Sequence, residues 1–167
     1  MLNRRILSFA LVAVALAGCA SVTTPVSIAD SIAQNPSLST FNGLLTQTGL
    51  SATLQGAGPF TVFAPSNDAF KLVPAKTMED LAKHPDKLKN VLAFHIIAGK
   101  LTAAEVKNSS VKTLNNANVA LSKAGDFVTI EEAMVQQADI QASNGVIHII
   151  DSAVSYTHLT LPTNREV

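Results

Sequence analysis

Cysteine occurs once in this 167-residue chain, tyrosine once and tryptophan not at all, and aromatic residues make up only 5% of it. A lone cysteine excludes an internal disulfide, so any folded domain must be held by its core. Net charge is missing too. Twelve basic and twelve acidic residues cancel, the charges are scattered, and no basic stripe forms for nucleic-acid phosphates, so nucleic acid is not an expected partner. The apolar run 6–16 has 11 residues, where a bilayer-spanning helix needs roughly 20. What the chain does have is 47% hydrophobic and 14% charged residues, the balance of an ordinary globular protein, and one domain is expected at this length.

The first residues, MLNRRILSFALVAVALAGCA, place Arg4 and Arg5 ahead of the apolar run and small residues after it, which is the layout of a secretory signal. Paired arginines also permit a twin-arginine reading, though they are common in ordinary signal heads. The tetrad LAGC ending at Cys19 resembles the lipobox of bacterial lipoproteins. That resemblance implies that residues 1–18 are removed and that Cys19 becomes a lipid-modified first residue tied to a membrane. Ala20, standing where an inner-membrane retention signal would have aspartate, points toward the outer membrane. Residues 19–25 are small and polar and read as a tether. At the other end, residues 155–167 (SYTHLTLPTNREV) show neither helical nor strand periodicity and resemble read-through from an adapter or vector, so they read as a non-native tail.

Between these ends, residues 26–154 form the expected domain. VSIADSIAQ puts Val26, Ala29, Ile32 and Ala33 on one helical face, and SLSTFNGLLTQTG does the same for Leu38, Phe41, Leu44 and Leu45 before Gly49. FTVFA begins a strand at Phe60. Helices are expected over 77–83 and after Pro85, and TAAE (102–105) has the form of a capping box. From Val111 onward the segments VKTL, NVALSK, DFVTI, MVQQADIQA and GVIHII read as strands separated by Asn115-Asn116, Gly125 and Asn144-Gly145 turns. Helices first and a strand meander later predict an α+β fold.

The polar knot Pro65, Ser66, Asn67 and Asp68 follows the first strand, where a nucleophile would be sought. A hydrolase built on Ser66, Asp68 and a histidine needs a base oriented by a third group, and no G-x-S-x-G elbow surrounds Ser66. A structural reading accounts for Pro65, Ser66 and Asp68. Ser66 caps a helix, Asp68 sits at its positive end, and Pro65 packs on Phe70 as a hydrophobic staple. His84, His95, His148 and His158 show no H-x-x-x-H or H-E-x-x-H spacing. His95 and His148 lie in apolar segments and read as hydrogen-bonded core residues, so neither metal nor cofactor is expected. NSS (108–110) fits the N-glycosylation pattern, which a bacterial signal makes a chance occurrence.

FTVFAPSNDAF, with Phe63, Pro65, Ser66, Asp68 and Phe70, resembles the first motif of fasciclin domains. NGVIHIID, with Gly145, His148 and Asp151, resembles the second, and FHIIAGKLTAAEV between them resembles the family's Tyr-His segment. The resemblance covers about residues 26–154. It implies a wedge of β-strands with helices packed around it, and an extracytoplasmic adhesion or interaction module with no shared enzymatic activity. Partners would be a protein, a glycan or a second copy of the chain, reached through a segment containing Phe94, His95 and Lys100. Two departures stand out: Phe94 replaces the tyrosine of the Tyr-His pair, and the Leu/Pro-rich ending usual after the second motif is absent. Asp139-Ile140 is similar to a contact dipeptide of animal members, although Ile140 also suits a strand's buried face. The alternative function is an extracytoplasmic carrier of a small apolar ligand, a pigment or lipid, for which a hydrophobic pocket would be the discriminating feature.

Overall fold

A computed structural model describes residues 26–154; the expected signal peptide, Cys19, the tether, His158 and the tail lie outside the described residues. The chain opens with helices. α1 (Ile28–Gln34) is capped by Ser27, whose hydroxyl oxygen accepts from the Asp30 N–H. A 3-10 turn (Pro36–Leu38) leads into α2 (Ser39–Gln47), and Gly49 at φ 73° turns the chain directly into α3 (Leu50–Gln55). This third helix is not among the expected ones, although Leu50 and Leu54, one turn apart and both buried, carry its signal. Ala33, expected on the apolar face of α1, is exposed, and Ile28 is buried there instead.

Strand β1 (Phe60–Pro65) is followed by α4 (Asn67–Lys71), α5 (Ala75–Lys83) and α6 (Pro85–Phe94), with Pro85 in the first turn of α6 where its missing N–H does no harm. Then come β2 (Ile96–Ala98), β3 (Ser109–Lys112), β4 (Asn118–Ala124), β5 (Phe127–Ile130), β6 (Ala133–Ala142) and β7 (Gly145–Ile150). The positive-φ turn residues Asn116 and Gly125 stand at the meander corners expected from the sequence, joined by Glu131 at φ 52°. No helix follows TAAE. The Glu105 carboxylate accepts from the Thr102 N–H at 2.9 Å and from its hydroxyl at 2.7 Å, and after a single turn the chain leaves toward β3.

The seven strands run in the order β2-β1-β7-β6-β5-β4-β3, with every pair antiparallel except β1 and β7. The two edge strands approach each other. Ile97 bridges Thr113, and the Leu114 N–H reaches the Ile96 carbonyl at 2.7 Å, so the sheet nearly closes into a barrel. The architecture is therefore α+β, with the helices gathered against one side of the strands.

Alternation along the central strands divides the core in two. Val62, Ala64, Ile147 and Ile149 face the helices and meet Phe41, Leu45, Leu54, Leu88 and Leu92. Phe63 and Ile150 face the barrel interior and meet Val119, Leu121, Val128 and Ile130. Being covered on both faces, β1 and β7 are buried almost throughout, which explains their near-continuous apolar runs. Thr61, the polar exception in β1, is satisfied in place: its hydroxyl donates to the Gly99 carbonyl and accepts from the Leu101 N–H.

The turn between β6 and β7 ties the two halves together through one side chain. Asn144 Oδ1 accepts from the Ile28 N–H at the start of α1 (2.9 Å), and Nδ2 donates to the carbonyls of Leu54 (2.7 Å) and Gly56 (2.8 Å). Asn144→Ala is expected to lower stability by about 3 kcal/mol, roughly 1 kcal/mol for each lost bond. Urea unfolding checks this; a loss under about 0.5 kcal/mol would show that the junction holds without it.

Candidate functional site

The polar knot after β1 is a helix start. Ser66 has extended backbone angles, is 7% exposed, and its Oγ accepts from the Ala69 N–H at 3.2 Å. Pro65 and Phe70 bracket the cap and line the same apolar cleft, the arrangement of a staple. Asp68 points outward and accepts from Lys71 Nζ at 2.7 Å with both side chains largely exposed, so this pair adds little stability. Asn67, given no role of its own by the sequence, has more partners than its neighbours. Its Nδ2 donates to the Pro36 carbonyl and to Ser39 Oγ, and its Oδ1 accepts from the Thr40 N–H, which fastens α4 to the 3-10 turn and α2. Those partners are 27 to 31 residues away in the chain, so no local pattern announces them.

Beside the knot lies an open polar cleft of about 490 Å³, bounded by Ser37, Asp68, Lys71, Gln136 and Gln137, with no histidine in its lining. Both described core histidines are engaged elsewhere. His95 is 1% exposed; its Nδ1 donates to the Val91 carbonyl (2.8 Å) and its Nε2 accepts from the Val154 N–H (3.2 Å), which sets the tautomer. Burial pushes its pKa down to about 4 against the opposing effect of the Val91 bond, so the ring is neutral at pH 7. His148 has the other tautomer: Nε2 donates to the Leu101 carbonyl (2.9 Å) and Nδ1 accepts from the Asp139 N–H (3.2 Å). Its ring stacks on Phe63 with centroids 5.1 Å apart. Burial lowers its pKa too, opposed by the Leu101 bond and the Asp139 carboxylate. No nitrogen of either core ring is free to take a proton from Ser66, so neither His95 nor His148 serves it as a general base. Ser66→Ala is therefore expected to cost about 1 kcal/mol of stability through the lost cap and to remove no chemistry; thermal unfolding of the two proteins checks it.

Most of the candidate interaction segment is buried, while Lys100 is exposed. Phe94 is half-buried against the barrel cluster, His95, Ile96 and Ile97 are buried, and only Ala98 and Lys100 are exposed. The reason is that β2 lies next to β1 in the sheet, so its side chains are drawn into both cores. His95 thus serves the interior. Asp139 is exposed at φ 57° in an irregular part of β6, where its Oδ1 accepts from the Ala103 N–H at 2.8 Å, and Ile140 packs on the helix-side core. Asp151 Oδ1 accepts from the Met134 N–H (2.9 Å) and the Ser152 hydroxyl, closing the end of β7 onto β6. Gly145 begins β7 opposite Phe60. Among the described residues no three His, Cys, Asp or Glu side chains come together as a metal site would require.

A second, apolar cleft of about 100 Å³ opens between α2, α4, α5 and α6 and the stretch after β7. Phe41, Phe70, Leu81, Leu88 and Leu92 form its walls. It is too small to enclose a pigment or a whole lipid, since drug-sized ligands occupy roughly 300–1,000 Å³.

Comparison with known proteins places this geometry. The family model for the Fasciclin domain matches residues 36–155. The protein sll1483 of Synechocystis sp. is 38% identical over 137 residues, which are 81% of this chain and 76% of that protein. Immunogenic protein MPB70 of Mycobacterium bovis is 33% identical over 135 residues, 78% of this chain and 68% of that one. Among solved structures, a FAS1 domain pair from the insect cell adhesion molecule Fasciclin I shares the fold, with a TM-score of 0.63 at 16% identity. The match covers 79% of this chain and 52% of the domain pair.

Proposed function

The chain belongs to the Fasciclin domain family, and from that premise we propose that it is an exported, non-enzymatic interaction module held in the bacterial envelope by lipid on Cys19. It binds a protein or glycan partner, or a second copy of itself, and so contributes to adhesion or envelope organisation. Residues 1–18 act as the signal peptide, 19–25 as the tether and 26–154 as the binding domain, with residues 155–167 a non-native addition. The absence of aspartate after Cys19 favours the outer membrane.

The observation that carries this reading is the use to which the motif residues are put. Ser66, Asn67, His95 and His148 all spend their polar atoms on the backbone or on neighbours that hold the fold, Phe63 fills the core, and Gly145 lets β7 approach the Phe60 backbone. Motif residues committed to architecture leave recognition to the exposed surface. Two measurements test the proposal. Cys19→Ser should move the protein from the membrane to the soluble fraction and abolish labelling by radioactive palmitate; unchanged fractionation and labelling would refute the anchor. Cells lacking the domain should lose attachment or a cross-linked partner, and unaltered behaviour in both assays would refute the interaction role.

A further inference from the structure

We infer that the apolar cleft between α2, α4, α5 and α6 is a binding site for one small, uncharged, apolar molecule, no larger than a single aromatic ring or a short alkyl chain. This goes beyond the interaction reading and does not rest on it.

The size sets the ligand class. An engineered apolar cavity of about 150 Å³ stays dry and takes up benzene or xenon, and this cleft, at about 100 Å³, is of that order. The walls set its polarity. Of the side chains that line it, only Thr77 and His95 are polar, and both nitrogens of His95 are already bonded to Val91 and Val154. A water placed there would find too few partners to repay leaving bulk solvent, whereas a hydrocarbon gives up nothing. No buried side-chain nitrogen or oxygen lacks a partner among the described residues, so nothing in the cleft calls for a polar or ionic group.

One wall is built to adapt. α5 contributes Thr77, Met78 and Leu81 to the cleft yet has no buried residue of its own. Its apolar face therefore meets incompletely filled space, and Met78 supplies an unbranched side chain that reshapes around an occupant. The exposed positions of the same helix carry Lys76, Glu79, Asp80 and Lys83, charges of both signs that select no ionic headgroup. An occupant would cover the half-buried Phe70, Val73, Met78, Leu81 and Val91, gaining for the protein the contacts that these residues lack.

The methionines provide the test, since the chain has only three: Met1, Met78 in the cleft and Met134 on the outer face of the sheet, 43% exposed. The full chain, labelled with ¹³C-methyl methionine, is titrated with toluene and followed by NMR. The Met78 resonance should shift and saturate while Met134 stays in place, and the melting temperature should rise by about 5 °C at toluene tenfold over its dissociation constant. Val73→Phe and Val91→Phe each fill the cleft from a different wall and should abolish both effects, with an unmoved Met134 resonance reporting that the variant is folded. An unresponsive Met78, or the same response in both filled variants, would overturn the assignment. So would a Met78 resonance that broadens with protein concentration and is unaffected by toluene, because a second copy would then cover the cleft.

Discussion

Gly145→Ala is expected to remove about 4 kcal/mol of stability, a large part of the 5–15 kcal/mol that a domain of this kind has in total. Gly145 opens β7 and pairs with Phe60 in the only parallel strand contact of the sheet. Its φ of +156° is unfavourable for a side chain, and a Cβ there would fall on the Phe60 carbonyl oxygen and within 2.8 Å of Ile28 Cδ1. The Ile28 methyl can turn aside, but the Phe60 backbone cannot yield in the same way. The register of β1 against β7 or the seat of α1 must shift, and both cores draw on those elements. Gly43 is the control. It lies within α2 with nothing inside 4 Å of its Cβ position, so Gly43→Ala should stabilise the protein by roughly 0.5–1 kcal/mol. Chemical denaturation of the three proteins decides the matter; a Gly145→Ala protein within 1 kcal/mol of the parent would show that the parallel pair tolerates displacement.

Acidification should act through His95. Its pKa falls from 6.5 to about 4 on folding because burial disfavours the charged ring. With the folded value below the unfolded one, the unfolded chain takes up the proton first. The stabilising contribution is whole above pH 6.5, declines as the pH falls, and is gone at about pH 4. For a shift of that size the loss is about 2 kcal/mol by pH 5 and about 3 kcal/mol by pH 4. His148 shifts in the same direction and adds to the loss. Protonation of His95 also removes the Nε2 acceptor from the Val154 N–H, so the stretch after β7 should be the first to loosen. His95→Gln keeps a side chain able to donate and accept but cannot titrate. Between pH 6.5 and 5, above the usual carboxylate range, its stability should fall less steeply than the parent's by close to one proton's worth. Equal slopes in the two proteins would exclude His95 as the group responsible.

Both predictions concern residues whose type was legible in the sequence and whose consequence was not. The α+β class, the order of helices and strands, the Ser66 cap and the turn glycines depend on patterns that span a few residues, such as apolar periodicity, a serine ahead of a helix and glycine at a corner. These local preferences survive into the fold because nothing in the tertiary structure opposes them. TAAE is an exception: the Thr102–Glu105 bonds close a single turn, and the chain then runs on to β3 without forming a helix.

The sequence by itself therefore determined the fold class, the family and the core histidines as a residue type in apolar surroundings. Only the tertiary structure decided what depends on pairs distant in the chain. Adjacency of β2 to β1 turned His95, Ile96 and Ile97 inward and left Lys100 exposed. Asn67 and Asn144 became joints between elements dozens of residues apart. The backbone partners of His95 and His148 selected opposite tautomers. The apolar cleft exists because four helices and the stretch after β7 meet without filling the space between them. Periodicity states which residues avoid water, whereas the shape they enclose is settled only when separate elements pack together.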